Sequence, residues 1–343
     1  MHQHQQNKAV LCSVNSINEL ARLLHTDQRR LQLMASRPSY KAFSIPKKNG
    51  GERLIEAPAS DLKKVLGILN RYLQSTYLFE KSCAAYGFVT GAKNDEDRRN
   101  VLTNARKHLG KPYLLNIDLE DFFHSVTQEQ VLKIFQETPF RLKRELPELL
   151  ANLCTYHGRL PMGTPTSPVL SNFACRDLDQ ELIKFSEDML WTFTRYADDM
   201  SFSAAQPIPG EKIETVCTLI EKAKFKVNTR KVKVYGANEP KIVTGLFLDT
   251  NEVTLAPDYL DALEAEIVGL QAVMKAQNEQ GQLTTRWVEQ LKQQIRGRLN
   301  FAGFVLPRMD ARFSELKDAF HTAINPAPEE FGAVSWRSFP YNF

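Results

Sequence analysis

No stretch of the 343 residues is apolar over the roughly 20 positions that a membrane-spanning helix needs. The amino terminus, Met1-His2-Gln3-His4-Gln5-Gln6, is polar rather than signal-like. These absences argue against a membrane partner and predict a cytoplasmic location. Cysteine is sparse: Cys12, Cys83, Cys154, Cys175 and Cys217 are scattered, odd in number and never spaced C-x-x-C, which excludes a disulfide framework and a structural zinc site. The seven histidines form no ligand cluster. There is no internal repeat and no low-complexity linker, so the parts of the chain should pack continuously. Net charge is only +4, which by itself points to no partner.

What is present is ordinary globular composition, 43% hydrophobic and 24% charged, in a chain long enough for two or three subdomains. Charge is uneven locally: from Lys222 to Lys241 seven Lys or Arg face one acid, Glu239. Phe225, Val227, Val232, Val234 and Tyr235 interleave with these cations, a pattern for strands that present lysines to phosphate as well as for a solvated face.

Apolar spacing predicts a helical entry over 15–35, two short extended pieces (Lys41–Ile45, Arg53–Glu56) around a glycine turn, and a helix over 60–77. Thr127 with Gln130 three residues on is a capping box. Ser167-Pro168 reads as N-cap then N1 of one helix whose stripe is Leu170, Phe173, Ala174, Leu178, Leu182 and Phe185. Late in the chain, Leu260, Leu263, Ile267, Leu270 and Met274 mark one helix. Trp287, Leu291, Ile295 and Leu299 mark another, whose exposed sides should carry Arg286, Lys292, Arg296 and Arg298.

The chemistry lies in three aspartates. Tyr113–Ile117 is a short apolar run ending at Asp118, and Leu190–Tyr196 and Met200–Ala204 read as a hairpin with Asp198 and Asp199 at its tip. A lone Asp-Asp pair in a turn is usually solvated. Carboxylates converging from two hairpins, however, repel one another unless cations share them, and hard oxygen donors suit Mg²⁺. Two such ions roughly 3.5–4 Å apart activate an attacking hydroxyl and stabilise a leaving oxygen in displacement at phosphorus.

These residues carry a resemblance. Tyr196-Ala197-Asp198-Asp199 is similar to the Y-x-D-D box of reverse transcriptases. Asp118-Leu119-Glu120-Asp121-Phe122-Phe123 resembles their first palm motif, and Leu160-Pro161-Met162-Gly163-Thr164-Pro165-Thr166-Ser167-Pro168 the second. Three motifs in order are far more specific than one. Asn104-Ala105-Arg106-Lys107-His108 and Val243-Thr244-Gly245 resemble the N-A-x-x-H and V-T-G elements of bacterial retron reverse transcriptases. The resemblance runs from about Phe43 to Gly245.

It implies an α+β right-hand polymerase fold: an N-terminal entry (1–35), fingers (36–112), a palm of antiparallel sheet (113–254) and a helical thumb that recognises RNA (255–343). It implies an RNA-directed DNA polymerase that copies part of a cognate msr–msd-type noncoding RNA, primed from a guanosine 2′-hydroxyl to leave a branched RNA–DNA. Implied partners are that RNA, the RNA–DNA hybrid, deoxynucleoside triphosphates, a separate effector protein of an anti-phage system and host ribonuclease H.

By the same resemblance Asp118 and Asp198 ligate two Mg²⁺ ions (or Mn²⁺), Asp199 supports them and the Leu119 carbonyl completes one shell. Phe123 is the gate against a 2′-hydroxyl, Lys48 and Arg53 hold the triphosphate, and Met162 and Gly163 line the nucleotide. Lys231 or Lys233 stands near the lysine that protonates departing pyrophosphate. Asn104, His108, Val243, Thr244, Gly245, Arg286, Arg296 and Arg298 are expected to touch RNA.

Two departures stand out. Met162 replaces the glutamine usual in the second palm motif, and Ala92 replaces a basic residue after Thr90-Gly91, with Lys93 or Arg98 as substitutes. Rival readings are a group II intron-like or other defence-associated enzyme, which the N-A-x-x-H and V-T-G pair argues against, and an RNA-binding scaffold restraining a toxin. Three intact aspartates weigh against the scaffold, because buried unpaired carboxylates are costly.

Overall fold

The computed structural model describes residues 1–46, 50–91, 95–249, 251–279, 285–307 and 310–325. The chain divides into two compact units, Met1–Thr244 and Gly245–Phe343.

In the first unit, α1 (His2–Cys12), α2 (Ile17–Leu23) and α3 (Gln28–Ser36) precede a hairpin of β1 (Tyr40–Pro46) and β2 (Glu52–Pro58). Alternation sets the hairpin register, with Phe43 opposite Ile55 and Ile45 opposite Arg53. Next come α4 (Ser60–Glu80), α5 (Val101–Arg106) and β3 (Tyr113–Glu120). The long α4 buries Leu62, Val65, Leu66, Leu69 and Leu73, the i, i+3/i+4 stripe that its sequence shows.

The order continues α6 (Gln128–Gln136), α7 (Leu146–Cys154), α8 (Ser167–Ala174), α9 (Arg176–Asp188), β4 (Thr192–Tyr196), β5 (Asp199–Ala204), α10 (Gly210–Lys222), β6 (Lys226–Val227), β7 (Lys233–Tyr235) and β8 (Lys241–Val243). The Thr127–Gln130 capping box is present on α6, where such a cap contributes about 1 kcal/mol. The single helix expected from Ser167 is two, broken at Cys175, and its N-cap is Thr166, with Ser167 turned inward so that its hydroxyl donates to the Pro161 carbonyl at 2.7 Å. The central sheet runs β4-β5-β3-β6, with β7 also paired to β3. One continuous apolar core packs its helices, including Leu115, Ile117, Leu170, Phe173, Leu182 and Phe202.

In the second unit a short antiparallel pair, β9 (Leu246–Leu248) and β10 (Val253–Thr254), precedes α11 (Tyr259–Glu279), α12 (Arg286–Val305) and α13 (Ala311–Ile324). A separate core joins Leu263, Ile267 and Leu270 to Val288, Ile295 and Leu299 and to Leu316 and Phe320. The stripe expected on α12 is out of phase at its start. Thr285 caps the helix, Val288 is fully buried, and Trp287 remains 57% exposed.

Candidate active site

Strand β3 reaches past Asp118 to Glu120, and its antiparallel register with β5 sets Asp118 directly across from Asp199. Cross-strand partners project from the same face of a sheet. Asp198 occupies the two-residue turn between β4 and β5, and the Leu119 amide donates to its carbonyl at 3.1 Å. Register and turn together gather all three carboxyls at one edge of the sheet.

Their electrostatics reflect crowding. Asp198 is pushed above the usual carboxylate range by desolvation and then by Asp118, with Lys231 and Arg53 opposing. Asp199 is pushed up to about 7 by desolvation, then by Asp198 and Asp118. Asp118 accepts from Lys231 Nζ at 2.8 Å through one oxygen and from Asn228 Nδ2 at 3.2 Å through the other. Lys231 lies in a 3-10 turn (Thr229–Lys231) inside the basic run, whose flanking strands pair with β3. Lys233 instead lies over the Tyr235 ring, 4.3 Å from its centroid. Of the two candidate lysines, Lys231 is the one at the carboxylates.

Among the described residues no three Asp, Glu, His or Cys side chains close around one metal-sized point. The donor set nevertheless fits hard divalent cations: it is all oxygen and mutually repelling, offset by Lys231 and Arg53.

The turn that carries Asp198 is tightly framed. Ala197 adopts φ +58, and its carbonyl accepts from the Arg195 guanidinium at 3.2 Å. Arg195 has no exposure and forms a two-bond ion pair with the equally buried Asp179 at 2.7 and 2.8 Å. It also donates to Asn172, whose amide donates to the Gly87 carbonyl. A Cβ built on Gly87 would stand 2.6 Å from the Ala197 nitrogen, so backbone meets backbone there. Sequence reasoning missed Arg195, Asp179 and Asn172, and the packing role of Gly87. The one local signal was an arginine inside a strand otherwise bound for the core.

A second missed cluster ties β2 to the palm motifs. Glu56, 2% exposed, accepts a bidentate pair from Arg159 at 3.1 and 3.2 Å and a contact from His124 at 3.2 Å. Its amide donates to the Met162 carbonyl at 2.7 Å. Met162 thus holds β2 through its main chain, a link indifferent to the exchange of glutamine for methionine. Gly163 (φ +123) holds a backbone conformation that strains any side chain, and a Cβ there would press on Ile55 at 3.0 Å and on the Glu56 carbonyl at 3.2 Å. Phe123 is half-buried between Phe122 and Phe88, with ring centroids 5.4 and 5.9 Å away. Arg53 is exposed on β2 and close enough to Asp198 to oppose its upward shift. Lys48 and Lys93 lie outside the described residues; Arg98 has a partner and is no free cation.

The residues expected to touch RNA differ in exposure. Asn104 and His108 are each 1% exposed. His108 bonds through Nδ1 to the Ser203 hydroxyl and through Nε2 to the Thr194 hydroxyl, both at 2.7 Å, because the residues after α5 pack inward on β4 and β5. Burial keeps its imidazole neutral, with the pKa lowered to about 3. His108 therefore ties the residues after α5 to the aspartate-bearing hairpin. Val243 is likewise fully buried, whereas Thr244 (φ +49) is half-buried and Gly245 (φ +83) exposed. Arg298 packs within the helical unit, on Glu266 at 2.5 Å and over the Tyr259 ring, leaving Arg286 and Arg296 as the open cations of α12.

A sheet that presents three carboxylates at one edge beside a turn of left-handed backbone is the arrangement that nucleotidyl transfer by right-hand polymerases calls for. The chain belongs to the reverse transcriptase (RNA-dependent DNA polymerase) family, whose family model matches residues 45–261. It falls among the retron reverse transcriptases. It is 28% identical over 267 residues to the Retron Ec86 reverse transcriptase of Escherichia coli, covering 77% of this chain and 76% of that one. It is 33% identical to the Escherichia coli Retron Ec73 enzyme, covering 63% and 70%, and 30% identical to the Myxococcus xanthus Retron Mx162 enzyme, covering 70% and 54%. The protein is an RNA-directed DNA polymerase that uses an RNA template and nucleotide substrates, and members of the family depend on divalent metal.

Proposed function

We propose that this enzyme copies part of a cognate msr–msd-type noncoding RNA into DNA, starting from the 2′-hydroxyl of an internal guanosine, so that the product stays joined to its template by a 2′–5′ branch. The observation that carries this reading is the gathering of Asp118, Asp198 and Asp199 by the β3–β5 register within a retron-type chain. Asp118 and Asp198, with Asp199 in support and the Leu119 carbonyl, would hold two Mg²⁺ ions, which supply Lewis acidity for hydroxyl attack on the α-phosphate and for departure of pyrophosphate.

The chain's own residues do the rest. Arg53, with Lys48, grips the triphosphate; a guanidinium fork suits paired phosphate oxygens. Lys231 exchanges its bond to Asp118 for the departing pyrophosphate and delivers a proton from Nζ. The Phe123 ring occupies the space a ribose 2′-hydroxyl would need. Thr244, Gly245, Arg286 and Arg296 contact the RNA. The system acts in the cytoplasm with a separate effector protein against phage, and host ribonuclease H trims the copied template.

Purification from the native host followed by sequencing of the bound nucleic acid tests the reading. One defined RNA–DNA species, sensitive to a 2′–5′ debranching enzyme and missing from Asp198→Ala protein, is expected. Recovery of unbranched DNA, or of nucleic acid without a common sequence, would overturn it.

A further inference from the structure

Between α12 and α13 lies a cavity of about 530 Å³ that belongs to neither the aspartate site nor its frame. Its walls are aromatic: Phe304, 47% exposed, Phe313, and Phe320, which is 2% exposed. Its cationic lining is supplied by Arg296 and Lys317, with the His321 ring beside them, and no acid lines it among the described residues. The close crossing of the helices fixes one wall. A Cβ on Gly303 would stand 2.7 Å from the Phe313 ring, so that ring rests against bare backbone.

We propose that this cavity binds an unpaired nucleotide of the cognate RNA, its base stacked on Phe304 and its phosphate held by Arg296 and Lys317. The proposal rests on the reading that the helical unit contacts that RNA. Volume permits it, since sites that enclose small ligands run roughly 300–1,000 Å³. Chemistry selects it: an aromatic face beside cations is the arrangement that takes single-stranded bases, because every base has a π-face and every nucleotide a phosphate. A paired base cannot enter, as its faces are covered within the stem, so a bulge or loop is required.

The test uses the full chain and a 12-nucleotide single-stranded RNA carrying 4-thiouridine, with the same strand in a blunt duplex as control. Photocross-links mapped by mass spectrometry should fall on α12 and α13 beside Phe304 and Phe313 for the single strand and not for the duplex. Phe304→Ala and Lys317→Glu both change exposed side chains and should fold. Each should abolish those cross-links, and Phe304→Ala should weaken binding by roughly 5- to 100-fold. Cross-links confined to Arg286 and its neighbours would overturn the cavity assignment and leave RNA contact by the helical unit standing. Their absence from the whole of that unit would overturn both. Unchanged binding in both variants, or displacement by polyglutamate but not by RNA, would give the cavity to a protein partner and refute the proposal.

Discussion

Arg195→Leu isolates the frame behind the aspartates from the aspartates themselves. The substitution leaves Asp179, with no exposure, as an uncompensated buried charge and strips a donor from Asn172 and from the Ala197 carbonyl. Breaking one side of a buried pair costs roughly 3–5 kcal/mol. In a unit of this size that lowers the melting temperature by roughly 2–4 °C per kcal/mol, or about 6–20 °C in all. Differential scanning calorimetry of both proteins measures it. The decisive comparison is Asp179→Leu/Arg195→Leu. Replacing both partners by apolar groups removes the stranded charge, so most of the lost stability should return. Catalysis should not return with it, because the Ala197 carbonyl still lacks its donor and the turn carrying Asp198 is unheld. A double variant no more stable than the single one, or one that extends a primer at the wild-type rate, would refute the reasoning.

Asp199→Asn should remove metal-dependent DNA synthesis while the protein melts no lower than wild type, since one crowded negative charge is lost; primer extension and calorimetry read the two effects. His108 makes stability fall with acid. Its folded pKa near 3 lies below the ordinary 6.5, so between those values only the unfolded chain holds the proton, and ~1.4 kcal/mol should be lost per pH unit. Melting of wild type and His108→Gln from pH 7 to pH 4.5 checks this, and parallel profiles would refute it. Phe123→Ala should admit ribonucleotides in single-nucleotide incorporation assays at a stability cost below the ~3–5 kcal/mol of a fully buried phenylalanine, because the ring is only half-buried. Arg296→Glu should weaken RNA binding and flatten its salt dependence, whereas Arg298→Glu should mainly lower the melting temperature of the helical unit, where it would face Glu266.

The aspartates were legible because each follows or sits between runs of β-type residues, and strand periodicity carries to one edge what the sequence separates. Local grammar also worked where the partners were local, as in the Thr127–Gln130 box. It failed where the partner is distant. α1 has no apolar stripe to announce it; it is held by His4 and Asn7 on Ser75 and Lys8 on Glu80, all across to α4. The phase slip at Trp287 arose from the cap at Thr285, one residue that decides which side of the first turn faces in. Nothing near His108 names Thr194 and Ser203, and nothing near Arg195 names Asp179. A short motif could therefore be placed correctly while the direction in which its side chains point stayed hidden.

The bare backbone contact at Gly87 determines where this enzyme can reorganise during a turnover. Side chains accommodate a neighbour by rotating; two main chains pressed together, one bonded to Asn172 and the other to Arg195, have no such freedom. The groups near that edge that keep room to move are Arg53, Lys231 and Phe123, exposed or half-buried side chains. The aspartates would present nearly the same geometry to each nucleotide in turn, with little reorganisation energy in the hairpin itself.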